Sequence, residues 1–229
     1  MILPPFHIYY CREHLIKGVV TRKGVNYKIY TNIKDNLWIY FIITLMFTFG
    51  IALGALSAKG INYTEKQELV MYLNNFFQVI NKENTNSFII FLKLLKNNFI
   101  IIFILWILSL TYLGLIFSNL VSLFKGFIIG FNVAFILQAF GMKGFLFILL
   151  SFLPQNLFYI PAYLFICSFS FAYSLNLIKK QSSFRNQNDV IGYSFNILAL
   201  FFIIFIGNIL ESFVITKIIK ALSTYLVIQ

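Results

Sequence analysis

Few side chains in this chain could do chemistry within apolar surroundings, and they are scattered. Lys125 is the one charge between Phe99 and Phe140; Gln155 and Asn156 follow Pro154; Glu211 closes the last long apolar run. A lysine so placed either snorkels its ammonium to the headgroups or is held by a buried polar partner, and snorkelling is the simpler reading. Gln155 and Asn156 either satisfy backbone groups that Pro154 frees or line a solute site of the discontinuous-helix type. With no carboxylate nearby to bind a cation, backbone satisfaction is favoured. Asn132 and Gln138 read as interhelical hydrogen-bond partners. Glu211 reads as a solvated interface residue. A bond into the bundle is the alternative, because Gly207 and Asn208 beside it admit a close neighbour.

These residues do not assemble a catalyst. Hydrolysis needs paired carboxylates, a metal, or a nucleophile beside a base. The two histidines, His7 and His14, lie in the polar N-terminal tail, with no His or Cys cluster at metal-ligand spacing. Cys11 is in that tail and Cys167 deep in an apolar run, so no disulfide framework is implied. The chain reads as non-enzymatic, with no cofactor and no metal.

The elements that position these residues follow from hydropathy. Apolar residues make up 60% of the chain and charged ones 11%, the reverse of a soluble balance. That places the net charge of +11 against anionic lipid rather than nucleic acid. The 29 phenylalanines go with over-used Ile, Asn and Lys, all read from A/T-rich codons, so no aromatic site is inferred from them.

A spanning helix takes about 20 residues. Residues 36–58 make one span behind a basic tail, 1–35, read as cytoplasmic. Residues 99–140 make two, with the turn expected at Ser118 and Asn119. Residues 144–178 are too long for one straight pass, and Pro154 and Pro161 predict a short half-helix, a polar elbow near 153–156, and a full helix to Lys180. Residues 190–210 make the fifth span. A slight excess of Lys and Arg on the tail's side favours the N-terminus inside. The expected fold is all-α: a polytopic bundle of about five spans, one broken near Pro154, forming a single membrane domain over 1–229.

Amphipathic stretches flank the spans. In the loop 59–97, Thr64–Gln67 fits a capping box, and Leu69, Leu73, Phe76, Phe77 and Ile80 recur on one helical face. That face is free for lipid, for the bundle, or for an extracytoplasmic protein. Residues 213–229 pattern as a third amphipathic helix lying flat at the surface. Small-residue stripes at Gly50, Gly54 and Ala58, and at Gly126, Gly130 and Ala134, predict close helix packing.

Leu123-Phe124-Lys125-Gly126 with Gly130-Phe131, then Phe152-Leu153-Pro154-Gln155-Asn156 with Pro161, then a span ending in Glu211, together resemble the stage II sporulation protein M family of endospore-forming bacteria. The similarity covers nearly the whole chain. Where the wider family commonly carries a histidine after the proline and a glutamate before the second proline, this chain has Gln155 and Tyr159. Any proton or metal role of those two residues is therefore not carried over. The resemblance implies a multi-pass protein of the septal membrane during engulfment. It would anchor two peptidoglycan-degrading partners, stage II sporulation proteins D and P. Membrane lipids and a second copy of the chain are the other partners considered, and nucleic acid is not. A transporter or channel subunit, using the helix around Pro154 and Gln155, is the competing reading.

Overall fold

The computed structural model describes residues 37–82, 87–179, 187–219 and 221, with the side chains of 76–82, 179 and 187–189 outside that description. The chain divides into two units, Met1–Trp38 and Ile39–Gln229. Of the first, only Leu37 and Trp38, which open α1, are described. All described elements are helical. In lipid a backbone must satisfy its own N–H and C=O groups, and a helix does so within one segment.

Helix α1, Leu37–Lys59, is a proline-free apolar run. It stops at Gly60, whose N–H donates to the carbonyls of Leu56 and Ser57. Helix α2, Tyr63–Lys82, starts just ahead of the expected cap: the Asn62 carbonyl accepts from the Lys66 N–H at 2.9 Å. Helix α3 covers Ser87–Ser109 and helix α4 Gly114–Phe147.

The turn between α3 and α4 lies at 110–113, not at Ser118 and Asn119. Leu110 and Thr111 close it by donating to Ile107 and Leu108 at 3.1 and 3.0 Å, and the Thr111 hydroxyl caps Leu108 at 2.7 Å. Ser118 and Asn119 spend their polar groups inside α4, on the carbonyls of Gly114 at 2.7 Å and Leu115 at 2.9 Å. Such back-bonding hides a polar residue within a helix, so polarity alone misplaced the turn.

Among the described residues four helices are long and apolar enough to cross a membrane, the longest being Gly114–Ile178 with 65 residues. At 1.5 Å per residue that is far more than one bilayer. It doubles back at Gly141, where φ is +55° and ψ −131°, a conformation L side chains rarely adopt. Beyond the reversal, Gly144 lies against the backbone of Ile136. The 65 residues therefore make two passes, and the described residues five.

The disturbance expected near Pro154 takes the form of a π-helical turn, Ile148–Phe152, rather than an irregular elbow. The Leu153 N–H donates five residues back, to Ile148. Shifting register by one residue ahead of a proline lets the helix pass it without a break. Helix α5, Leu153–Lys179, then runs on through Pro161. Helix α6, Gln187–Ile209, leads into a second π turn, Leu210–Ile215. The first residues of the expected surface helix 213–229 thus continue the last span, with Ser212 and Ile215 buried. Residues 222–229 lie outside the described residues.

The main core joins α1, α3, α5 and α6 through Ile43, Ile102, Leu105, Ile166, Ile197 and Ile204. A smaller cluster closes one end of the bundle, where Leu73 of α2 and Ile219 meet Phe147, Ile136 and Phe140. Lys66 reaches the Gln138 carbonyl there at 3.4 Å. Helix α2 therefore packs on the bundle at the Gly141 end through Leu73 and Lys66. At the opposite end Ser174 donates to the Ser109 carbonyl at 3.0 Å.

Candidate functional site

A polar stripe at four-residue spacing runs from the first π turn into α5: Ser151, then Gln155, Tyr159, Tyr163 and Cys167. Residues four apart lie on one helical face, so these side chains stack along one line into the bundle. Around Tyr159 and Tyr163 the neighbouring spans supply their own polar groups, and a continuous chain results. Tyr159 lies 2.7 Å from a Glu211 carboxylate oxygen and 2.7 Å from Asn208 Oδ1. Asn98 Nδ2 donates to the same Asn208 oxygen at 2.7 Å. Tyr163 donates to Asn98 Oδ1 at 2.8 Å. Finally the Lys125 ammonium sits 4.1 Å from the centre of the Tyr163 ring.

Four spans thus meet in one network: α3 through Asn98, α4 through Lys125, α5 through the two tyrosines, and the last span through Asn208 and Glu211. Asn208 is fully buried, while Lys125 and Glu211 are half-buried. Lys125 and Glu211 lie within electrostatic reach of one another, and Lys125 also of Cys167. A cation over a tyrosine face is attracted by the ring quadrupole, more so when desolvated.

A second polar group holds the other end. Tyr193 of α6 bonds Ser109, and Ser170 at 3.0 Å, and stacks on Tyr173 with 4.5 Å between ring centres. Trp106 donates to Ser194 at 3.0 Å. Between the two groups lies an apolar layer. Ile102 and Leu105 separate Asn98 from Ser109 on α3, Ile166 separates Tyr163 from Ser170 on α5, and Ile197 and Ile204 separate Tyr193 from Asn208 on α6; all five are buried.

The sites expected from sequence fall in different places. Lys125 is a full three turns inside α4, beyond the depth the misplaced turn had implied, and it meets a buried aromatic partner. Glu211 turns into the bundle. Asn156 donates to the Phe152 carbonyl at 2.7 Å, within its own helix, and Gln155 Oε1 is buried without a partner among the described residues. Asn132 is half-buried on α4, and Gln138 is exposed at its end. Leu69 and Leu73 are half-buried on α2, Leu73 against Phe147; the side chains of Phe76, Phe77 and Ile80 lie outside the described residues.

The glycines form a seam. A Cβ on Gly50 or Gly54 would collide with the carbonyls of Leu123 or Phe127, and one on Gly126 or Gly130 with those of Phe47 or Ile51. Helices α1 and α4 therefore run parallel with backbones in contact, and Ser122 adds a bond to the Ile43 carbonyl at 2.9 Å. Sequence reasoning missed Asn98 and Tyr163; it named Tyr159 only as a departure from the family pattern and Asn208 only as a neighbour of Glu211. The four-residue spacing from Ser151 to Cys167 was the readable trace of the tyrosines.

Among the described residues no group of three or more His, Cys, Asp or Glu could hold a metal ion. Fold and network together define an all-α, multi-pass membrane protein whose spans are joined by a buried polar network. The family model of Stage II sporulation protein M matches residues 43–215, from α1 to the second π turn and including all six network residues, and the chain belongs to that family. No curated protein and no solved structure matches it. It is a sporulation-related membrane protein.

Proposed function

We propose that this protein is a non-enzymatic anchor of the engulfment machinery. It would hold extracytoplasmic peptidoglycan hydrolases, stage II sporulation proteins D and P by resemblance, at the septal membrane. The observation that carries this reading is the apolar layer of Ile102, Leu105, Ile166, Ile197 and Ile204 across the middle of the bundle. A solute path past Gln155, Asn156 and Lys125, as a transporter or channel would need, would have to open that layer, whereas an anchor uses it as it stands.

With the N-terminus inside, α2 and the Gly141 reversal face the extracytoplasmic side. An open groove runs there between Tyr63, Lys66, Val70 and Met71 of α2 and Gln138 and Ala139 of α4. Tyr63 and Met71 are 75% and 60% exposed, so they are available to a partner, while Leu73 is committed to packing. The test is co-isolation of the wall hydrolases with a Tyr63→Glu, Met71→Glu double variant. Each buried apolar anchor contributes roughly 1.5–3 kcal/mol, so recovery should fall at least tenfold while membrane insertion is unchanged. Undiminished recovery would move the docking surface off the groove, towards the C-terminal residues beyond Ile219. Failure of the hydrolases to co-isolate with the wild-type chain would remove the anchor reading itself.

A further inference from the structure

The network contains one more contact than its visible protons can fill. Tyr159 has a single hydroxyl proton, yet its oxygen lies 2.7 Å from two acceptors, Asn208 Oδ1 and the Glu211 carboxylate. Asn208 Oδ1 is occupied from the other side by Asn98 Nδ2, and Asn98 Oδ1 by the Tyr163 hydroxyl. With both amides oriented as they stand, every contact has one proton only if Glu211 brings the missing one. The carboxylic acid then donates to Tyr159, Tyr159 and Asn98 donate to Asn208, and Tyr163 donates to Asn98. In that arrangement Asn208 Nδ2, on a fully buried residue, has no partner among the described residues.

Removing the proton from Glu211 reverses this order. Tyr159 then donates to the carboxylate, and its oxygen faces Asn208 Oδ1 with no proton between them. Rotating the Asn208 amide by half a turn relieves that contact by presenting the orphaned Nδ2. That group can donate to Tyr159 and, once Asn98 rotates as well, to Asn98 Oδ1. Asn98 Nδ2 then donates to Tyr163, whose ring carries Lys125. The unused donor of one arrangement is the working donor of the other. Amide oxygen and nitrogen are near-isosteric, so apart from the proton on Glu211 the two arrangements differ by rotations alone.

We propose that Glu211 is a proton-binding site, and that its proton sets the donor direction of a relay running through Tyr159, Asn208 and Asn98 to Tyr163. One proton passes from water to the carboxylate oxygen on protonation and returns to water on release; no other bond is made or broken. The titratable and charged groups facing Glu211 are Tyr159 from α5, which bonds it, and Lys125 from α4. Helix α3 offers uncharged Asn98, its lysines Lys93 and Lys96 being exposed. The Lys125 charge over Tyr163 is the counter-charge of the deprotonated arrangement.

The test is infrared difference spectroscopy of the full chain in proteoliposomes, titrated with pH. The wild type should gain a protonated-carboxyl absorption and, with the same midpoint, a change in asparagine side-chain amide absorption. Glu211→Gln, whose amide donates to Tyr159 as the acid does, should lose both. Tyr159→Phe keeps the ring and the carboxyl but cuts the relay, so the carboxyl signal should remain and the amide change should be lost. An amide change that persists in Tyr159→Phe, or no carboxyl signal lost in Glu211→Gln, would overturn the proposal. Circular dichroism of both variants confirms that the bundle is intact. If Glu211→Gln does not fold, isotope-edited spectra of the wild type with labelled asparagine read the same coupling.

Discussion

Asn98 is the residue on which two interhelical contacts converge, since it joins Tyr163 of one span to Asn208 of another. Hydrogen bonds between membrane helices are worth about 0.6 kcal/mol on average. Asn98→Leu removes two and leaves Asn208 and Tyr163 facing an apolar group, so resistance to unfolding in detergent should fall by about 1–2 kcal/mol. Tyr163 separates hydroxyl from ring. Tyr163→Phe keeps the face beneath Lys125, whereas Tyr163→Leu loses it and should cost about 0.5–2 kcal/mol more than Phe; denaturant midpoints of the two variants give the difference. Lys125 and Glu211 stand out in the sequence because charge is rare in an apolar run. Their partners did not, because tyrosine and asparagine are abundant throughout and a single chain does not show which of them face inward. The depth of Lys125 was misjudged for a local reason: Ser118 and Asn119 hide their polarity on their own helix, which moved the inferred turn and left the lysine too near the surface.

At the scale of elements, the parallel α1–α4 seam depends on four glycines that leave no room for a methyl group. Gly130→Ala forces a Cβ onto the Ile51 backbone and should cost about 1–3 kcal/mol in detergent stability. Gly192 of α6, beside which nothing lies within 4 Å, is the matched control. Gly192→Ala should be neutral or stabilising by up to about 1 kcal/mol, from helix propensity. Gly141 differs from both: space is open around it, but its backbone conformation is not, so Gly141→Ala should cost about 1–3 kcal/mol through strain. Thermal aggregation midpoints of the three variants rank these effects. Span existence and the small-residue stripes were legible because both are periodic and compositional. The π turns were not, since a one-residue register shift ahead of Pro154 leaves no mark except the proline itself, and Leu210–Ile215 lacks even that.

For the whole molecule, the five passes of the described residues put 60–62, 141–143 and 221 at one end of the bundle and 110–113 and Lys179 at the other. Single cysteines introduced at Asn62, Met142 and Tyr112 into a chain with Cys11 replaced by serine test this. The first two should react with an impermeant thiol reagent from the same side of the membrane, and the third from the opposite side. Like reactivity at Met142 and Tyr112 would remove the reversal at Gly141. Total hydropathy made the number of passes readable, whereas pairing of the spans was not, because contacts such as Gly50 with Leu123 join residues far apart in sequence. That separation also acts in time. At about 5–20 residues per second, Gly126 leaves the ribosome some 4–15 s after Gly50. For that interval α1 is already in the membrane with its glycine groove turned to lipid, awaiting the α4 surface that fits it. Any delay or truncation within α2 and α3 lengthens this wait, and the unpaired groove is then what a membrane quality-control protease would find first.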